Sequence, residues 1–378
     1  MNFTIAVTIS LLGCCVTIPL FFRYGYDLNI PAFAKWGLLL LSITIATLPV
    51  FAMPEYADIF GKYFHIIQHI FYFIYVFAVI LFTLTLLRDF IWMILSLISD
   101  KITSPLNMRI VHPINLITII IAFFCTISAD YEGKKIPQIK TTTIFSDKIT
   151  ENKKIVILSD LHLSRTISPE KIKEIVKKTN EQKPDAILLV GDIIDDDVHH
   201  VKPLLNILKN LSAPDGVFFT SGNHEFYVGY SDSINLIKTE GLKALENESV
   251  AINNSFYIGG IPDIPSSHRF NHSVNIKKTF KNVPDSAFKL LMSHTPVLYA
   301  KDEPFDLVVS GHTHGGQIFP FHIFSWLYNH HYLAGLYRID DKKQIYVSRG
   351  TGQWGPQMRF LAPAEISVIH INKKGGIK

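Results

Sequence analysis

Four long apolar runs in the first third of the chain constrain the fold more than any other feature. They cover about residues 3–22, 36–53, 64–87 and 113–129. A helix needs roughly 20 apolar residues to cross a hydrocarbon core of about 30 Å. The first run has no basic segment before it and three more runs follow, which favours a retained span over a cleaved signal peptide. We therefore predict an all-α membrane anchor of four transmembrane helices in residues 1–130.

The end of the third span is marked by charge. Arg88 and Asp89 follow directly after the run 64–87, and we expect the span to end there. The apolar stretch 90–99 is too short to cross a membrane again, so we place it at the membrane interface. A fifth membrane segment over this stretch remains the alternative.

Composition excludes several classes of protein. Hydrophobic residues make up 48% of the 378 residues and charged residues only 18%, which excludes a disordered chain. The net charge of +4 is too small to indicate a nucleic-acid-binding protein, so no nucleic acid is expected as a partner. Cys14, Cys15 and Cys125 all lie in the apolar runs. The rest of the chain therefore has no thiol for a disulfide or a cysteine zinc site.

The remaining two thirds of the chain alternate short apolar runs with amphipathic stretches. Residues 131–153 are polar and are interpreted as a linker that leads into an edge strand. In 154–378, strands are predicted over 154–159, 185–190 and 216–221, with helices between them. Ser168-Pro169 is typical of a helix start. A strand-rich second half follows, and the pattern predicts an α/β sandwich rather than a barrel.

Polar side chains follow five of the predicted strands, where open α/β sheets place their sites. Asp, Asn and His without Cys form a mixed ligand set that suits octahedral Mn, Fe or Zn rather than structural zinc. The i, i+2 spacing in two of the motifs lets both side chains of a tight loop converge on one point. The motifs are Asp160-x-His162, Gly191-Asp192, Gly222-Asn223-His224-Glu225, Ser293-His294 and Gly311-His312-Thr313-His314.

In this order, the motifs resemble those of the calcineurin-like metallophosphoesterase superfamily, over about residues 154–371. The segment 347–366, which follows GHTHGGQ, is similar to a membrane-associated bacterial branch. That branch includes UDP-2,3-diacylglucosamine pyrophosphatases and cell-envelope phosphoesterases. The resemblance implies a four-layer α-β-β-α sandwich that holds two divalent metal ions.

The resemblance also implies a role for each matching residue. His224 would contact the scissile phosphate and assist the leaving group without binding metal. Two cations about 3.5–4 Å apart would lower the pKa of a bound water and neutralise the phosphoryl oxygens. The implied ligands are Asp160, His162 and His314 for the first metal, Asn223, His294 and His312 for the second, and Asp192 for both.

Several other polar groups leave two interpretations open. Arg349 and Arg359 flank a glycine-rich turn and could clamp a second phosphate or form structural ion pairs, and Arg165 is a further candidate for substrate binding. Glu225 is expected beside the ligands rather than among them. The acidic run 195–197 is either a solvated loop or an extension of the site. The apolar segment 318–337 is either a core hairpin or a lip that admits an acyl chain or enters the bilayer.

Together these features predict a membrane-anchored phosphoesterase with two metal ions. Its expected substrate is a phosphodiester, pyrophosphate or phosphomonoester of an amphiphilic envelope molecule, lipid-linked molecules included. Membrane lipid is its expected partner. Lysine and arginine in the short loops place the catalytic domain on the outer face of a bacterial cytoplasmic membrane. The alternatives are a nuclease or nucleotide phosphodiesterase, a non-catalytic scaffold on the same fold, and a transporter regulated by the soluble domain.

Overall fold

The chain forms two compact units in a computed structural model that describes residues 3–25, 30–53, 56–99 and 112–374. The helical unit contains residues 1–134 together with the segment Gly355–Phe360. The α/β unit contains Lys135–Trp354 and Leu361–Lys378. The helical unit therefore includes a short segment from the C-terminal part of the sequence.

Four stretches of the helical unit are long and apolar enough to cross a membrane: Val7–Gly25, Ala32–Phe51, Ala57–Ile98 and Ile114–Lys134. Their apolar surfaces suggest membrane association. The helices are α1 (Phe3–Leu20), α2 (Ala32–Phe51), the short α3 (Ala57–Phe60), α4 (Phe64–Ile98) and α5 (His112–Lys134).

The helix that contains the third apolar run continues past Arg88 and Asp89. α4 is one helix of 35 residues, about 52 Å long at 1.5 Å per residue. Charged side chains are compatible with a helix, and these two are paired: Arg88 Nε and Nη2 donate to Asp89 Oδ1 at 2.9 and 2.7 Å. Arg88 Nη1 also donates to Asn115 Oδ1 at 2.8 Å. The stretch 90–98 therefore continues α4 and forms no separate segment in the described residues.

The segment Gly355–Phe360 packs closely against α5 within the helical unit. The Arg359 backbone N–H donates to the Ala129 carbonyl at 2.9 Å. A Cβ on Gly133 would lie 2.3 Å from the Gln357 carbonyl oxygen, so only glycine permits this approach.

The α/β unit contains two six-stranded sheets. Their strand orders are β1-β12-β2-β3-β4-β5 and β10-β11-β9-β8-β7-β6. The strands are β1 (Gln138–Ser146), β2 (Lys153–Leu158), β3 (Ala186–Val190), β4 (Gly216–Thr220), β5 (Lys243–Ala244), β6 (Glu248–Asn253), β7 (Phe256–Gly260), β8 (Phe288–Met292), β9 (Leu307–Ser310), β10 (Gly335–Arg338), β11 (Gln344–Val347) and β12 (Glu365–Lys373). The helices are α6 (Pro169–Asn180), α7 (Val198–Leu208), α8 (Asn223–Val228), α9 (Tyr230–Thr239), α10 (Ile264–Arg269), α11 (Ile276–Thr279) and α12 (Phe321–Tyr328).

The layers follow from the alternation of side chains along each buried strand. In β2, Ile155 and Ile157 pack between the two sheets, with Leu290 of β8 in the same cluster. Val156 and Leu158 point the other way, into a cluster that includes α6, α7 and α9. A third cluster covers the outer face of the second sheet and includes α11. The predicted four-layer α-β-β-α sandwich is confirmed.

Most predicted strands appear within one or two residues of their expected bounds. The helix start at Ser168 is also as expected, since Ser168 Oγ accepts from the Lys171 N–H at 3.2 Å. The edge strand expected after the linker is β1, which lies within the range 131–153 and pairs in parallel with β12 along its whole length. The polar, threonine-rich sequence of β1 belongs to a sheet edge and carries no buried run that would identify it.

Candidate metal centre

The loops after β2, β3, β4, β8 and β9 carry all eight side chains predicted for the centre. Backbone hydrogen bonds join these loops to one another. The Asp160 N–H donates to Gly191 O at 3.0 Å, and the Gly311 N–H donates to His294 O at 2.9 Å. Neighbouring strand ends of each sheet are therefore fastened together, and their side chains converge.

Asp160, His162 and His314 form the first group of potential ligands. His162 Nε2 lies 3.1 Å from His314 Nε2, and His314 Nε2 lies 3.5 Å from Asp160 Oδ1. Each residue offers a ligand atom within 4.8 Å of the other two. These are the three side chains that the resemblance assigns to one metal.

Asp192, His294 and His312 form a second group that meets the same 4.8 Å limit. Asn223 joins it, since its Oδ1 lies 2.8 Å from His312 Nδ1. Asp192 Oδ2 lies 3.1 Å from His294 Nε2 and 3.9 Å from His162 Nε2. The Asp192 carboxylate thus stands between the two groups.

The donor atoms fit divalent cations. Asp160 Oδ2 is buried and has no hydrogen-bond partner among the described residues, an arrangement that is costly unless something else compensates it. His294 Nδ1 lies 2.9 Å from the Val190 carbonyl, so that nitrogen carries the proton. The lone pair of a neutral His294 then lies on Nε2 and faces the Asp192 carboxylate. A cation between such acceptors resolves their mutual repulsion. The clusters could therefore hold metal ions.

Five of the predicted ligands have a backbone conformation that residues other than glycine rarely adopt. This left-handed region costs on the order of 1–3 kcal/mol per residue and is concentrated at functional sites. Local hydrogen bonds offset this free-energy cost. The His312 N–H donates to Asp160 Oδ1 at 2.9 Å, and the His224 N–H donates to Asp192 Oδ1 at 2.8 Å. The positive φ values are 56° at Asp160, 48° at His162, 52° at Asp192, 68° at His312 and 49° at His314.

Glycines in the motifs leave room for the carboxylates. A Cβ on Gly222 would lie 2.3 Å from Asp192 Oδ1, and a Cβ on Gly311 would lie 2.4 Å from Asp160 Oδ2. Both contacts are far inside van der Waals distance. Any larger residue would displace a predicted ligand.

Glu225 organises two ligand loops without being in either group. Its fully buried carboxylate accepts four backbone N–H groups. Oε2 accepts from Asp192 at 3.0 Å and Gly222 at 2.7 Å, and Oε1 accepts from Ile193 at 2.8 Å and Ile194 at 2.9 Å. The expectation that Glu225 lies beside the ligands agrees with this arrangement.

His224 presents one ring nitrogen to the cluster. Its Nδ1 is hydrogen-bonded to Asp195 Oδ1, which leaves Nε2 facing Asp192 Oδ2 at 4.0 Å. Burial lowers the pKa of His224, but the carboxylates of Asp195 and Asp192 outweigh it and raise this pKa to about 9. These carboxylates favour the protonated ring, in which Nε2 is the nitrogen turned toward the cluster.

Asp195 belongs to the centre, although the sequence left its role open. Besides His224, it faces His162 Nδ1 at 3.3 Å. Burial raises its pKa, but His224 and His162 hold the pKa of Asp195 below its usual range. The sequence signal for a site role of Asp195 was its position in the loop after β3, three residues beyond Asp192. Because two more acidic residues follow it directly, the sequence did not distinguish Asp195 from a solvated acidic run.

The three arginines predicted to bind substrate have other contacts. Arg165 forms a two-pronged pair with Asp196, with Nε–Oδ2 at 2.8 Å and Nη2–Oδ1 at 3.1 Å. Arg349 Nη1 lies 3.2 Å from Glu365 Oε2, and its stem adjoins Gly315 in the loop of His314. Arg359 is fully buried within the helical unit. Its burial corrects the expectation of a substrate contact for Arg359.

Two exposed aromatic rings flank His224. Tyr227 and Trp354 lie 5.3 and 5.9 Å from its ring centre. Gln317 fixes Trp354, because its Nε2 donates to Trp354 O at 2.8 Å and its Oε1 accepts from Trp354 N at 3.2 Å. Sequence patterns could not predict these contacts, since Gln317 and Trp354 are distant in the chain.

The apolar segment 318–337 is not a core hairpin. Its central part is α12, and no residue of this helix is buried. A helix so rich in aromatic residues is rarely left uncovered on a soluble domain.

A family model for calcineurin-like phosphoesterases matches residues 153–316. An uncharacterized metallophosphoesterase of Campylobacter jejuni is 32% identical over 300 residues, which are 78% of this chain and 79% of that protein. A Helicobacter pylori metallophosphoesterase is 37% identical over 65% of this chain and 66% of its own length. A Bos taurus transmembrane protein with a metallophosphoesterase domain is 32% identical over 57% of this chain and 52% of its own length.

The chain belongs to the calcineurin-like metallophosphoesterase family. The family match and the names of the relatives indicate a phosphoesterase hydrolase. The matched range contains the loops that carry both groups of potential ligands.

Replacing Glu225 by Gln should destabilise the α/β unit. Each carboxylate oxygen accepts two N–H groups, so the new NH₂ group faces two donors in either orientation. Two unsatisfied buried N–H groups cost about 2–4 kcal/mol. We expect a lower thermal midpoint and weaker metal retention, measured by scanning calorimetry and elemental analysis. Glu174→Gln on the exposed face of α6 is the matched control. Equal midpoints for the two variants would contradict this role of Glu225.

Proposed function

We propose that the chain is a membrane-anchored phosphoesterase with two divalent metal ions, Mn, Fe or Zn. It hydrolyses a phosphodiester, pyrophosphate or phosphomonoester of an amphiphilic envelope molecule. The position of Asp192 carries the proposal, since its carboxylate lies 3.1 Å from His294 of one group and 3.9 Å from His162 of the other. A carboxylate between two sets of imidazoles suits a shared ligand.

Each group of side chains has a distinct task in this proposal. Asp160, His162 and His314 would hold one ion, and Asn223, His294 and His312 would hold the other, with Asp192 shared between them. When bound, such ions supply a nucleophilic hydroxide and neutralise phosphoryl charge. His224 provides the proton at Nε2 for the leaving oxygen, because Asp195 holds the opposite nitrogen. Asp195 therefore acts as a positioning residue for His224.

Metal content should separate the role of Asp192 from that of His224. Asp192→Ala should abolish hydrolysis of bis(p-nitrophenyl) phosphate and weaken both metals, since one carboxylate is shared. His224→Ala should keep its metal and lose rate by about 10²–10⁴-fold, the range for a positioned acid. Elemental analysis and steady-state kinetics measure the two effects. His268→Ala, at an exposed position, serves as the control. A metal-free or fully active His224→Ala protein would refute the assignment.

Amphiphilic substrates are favoured by two features of the chain. Four stretches are apolar enough to span a membrane, and α12, which follows the ligand loop, carries no buried residue. An apolar surface beside a phosphoester site suits a substrate with a hydrocarbon chain.

A lipid chain on the substrate should therefore raise the rate. We expect a lipid-linked phosphoester to be hydrolysed with a higher kcat/KM than its chain-free analogue in the same detergent. Both compounds present the same reacting group, so only contacts to the chain differ. Equal kcat/KM values would exclude this part of the proposal.

The α/β unit is proposed to face the outside of a bacterial cytoplasmic membrane. With four spans, the loop near 23–35 shares one side with the C-terminal part of α4 and the residues up to 112, and the positive-inside rule makes that side cytoplasmic. That side carries Arg23, Lys35, Arg88, Lys101 and Arg109, whereas the loop 54–63 carries only Lys62. Lys134, Lys135 and Lys140 oppose the bias, but long domains translocate largely regardless of charge.

Protease added to intact spheroplasts should cleave the α/β unit under this topology. An antibody to the C-terminus would detect loss of the full-length band, while a cytoplasmic marker protein remains whole. Full protection of the unit, with cleavage only after lysis, would place the active site in the cytoplasm.

A further inference from the structure

The helix α12 presents an apolar surface with no cover among the described residues. Phe324, Leu327 and Tyr328 are 63%, 56% and 80% exposed, and Ile323 and Trp326 are also exposed. None of its eight residues is buried, so the helix contributes nothing to the clusters that stabilise the sandwich. Exposure of this kind indicates a surface that contacts something else.

α12 is firmly attached to the loop that carries two predicted ligands. Ser325 Oγ donates to the carbonyl of Thr313, the residue between His312 and His314, at 3.2 Å. A Cβ on Gly316 would lie 2.4 Å from the Cα of His322. The helix therefore cannot move without displacing the ligand loop.

The chemistry of the segment favours lipid over a charged protein partner. Between Asp306 and Arg338 the sequence has no Asp, Glu, Lys or Arg. The exposed side chains of α12 are aromatic and aliphatic, and Trp326 and Tyr328 belong to the residue types that concentrate at the level of lipid headgroups. Such a helix can lie in the interface with its apolar side chains in the acyl boundary.

The chain itself tethers the α/β unit to the candidate spans. Residues 135–137 alone separate α5, the last candidate span, from β1. Because the tether is short, lipid is present at a high effective concentration.

We propose that α12 inserts its exposed apolar side chains into the surface of the bilayer that holds the spans. The attached loop then presents the metal centre to phosphoester groups at that surface. Only the presentation of the metal centre to phosphoester groups depends on the proposed function. The insertion itself depends on the exposure, composition and tethering of the helix.

A fluorescent label on α12 tests the insertion directly. The full chain, with Cys14, Cys15 and Cys125 changed to Ser, receives Phe324→Cys and an NBD label, and is placed in nanodiscs of phosphatidylethanolamine and phosphatidylglycerol. The matched control is Phe145→Cys, since Phe145 is 64% exposed and lies near the far end of β1 from α5. We expect blue-shifted emission at position 324 that is quenched by doxyl lipids, and water-like emission at position 145 that is quenched by iodide.

The other outcomes overturn the proposal. Iodide quenching at 324 as strong as at 145 would show that α12 stays in water. Protection of the 324 label from both iodide and doxyl lipids would show that a protein partner covers the helix. The label reports contact rather than turnover, so an inactive enzyme would still give a clear result. The experiment therefore distinguishes a failure of α12 to insert from a failure of the proposed phosphoesterase activity.

Discussion

The buried carboxylate of Glu225 is the interaction on which the metal centre depends. One anion accepts the N–H groups of Asp192, Ile193, Ile194 and Gly222, and so joins the loops after β3 and β4. These N–H groups have no strand to pair with, because the sheet ends here. A charged acceptor satisfies them more strongly than a neutral one. The left-handed backbone of Asp192 is tolerated because the loop is fixed on both sides.

This fixed loop decides the chemistry that the centre can support. Asp192 Oδ1 accepts the His224 N–H at 2.8 Å, which leaves Oδ2 directed toward His294 at 3.1 Å. The same carboxylate thus positions the proposed proton donor and reaches the second ligand group. Asp195, further along the same loop, orients the His224 ring from its other nitrogen. Few organic groups are needed when charge is neutralised by cations and one acid is aligned.

The sequence predicted the parts of this structure that depend on local pattern. Buried runs marked the central strands, and the polar residues at their ends marked the side chains that converge in the structure. It could not predict contacts made by distant segments. Asp195 was hidden in an acidic run, and the sequence left two roles open for Arg359, whose burial in the helical unit it could not predict. α4 continues past Arg88, whose side chain is paired with Asn115 and Asp89, and hydropathy does not register these contacts.

The apolar content of the chain has two separate physical uses. In the helical unit, apolar residues make helices long enough to span a bilayer. In α12 they are displayed by a domain whose own core is complete without them. A soluble enzyme would incur an aggregation risk from such a surface. In a chain that also carries candidate spans, lipid is available to cover such a surface. The exposed helix is therefore consistent with an enzyme whose substrate is found at the membrane surface.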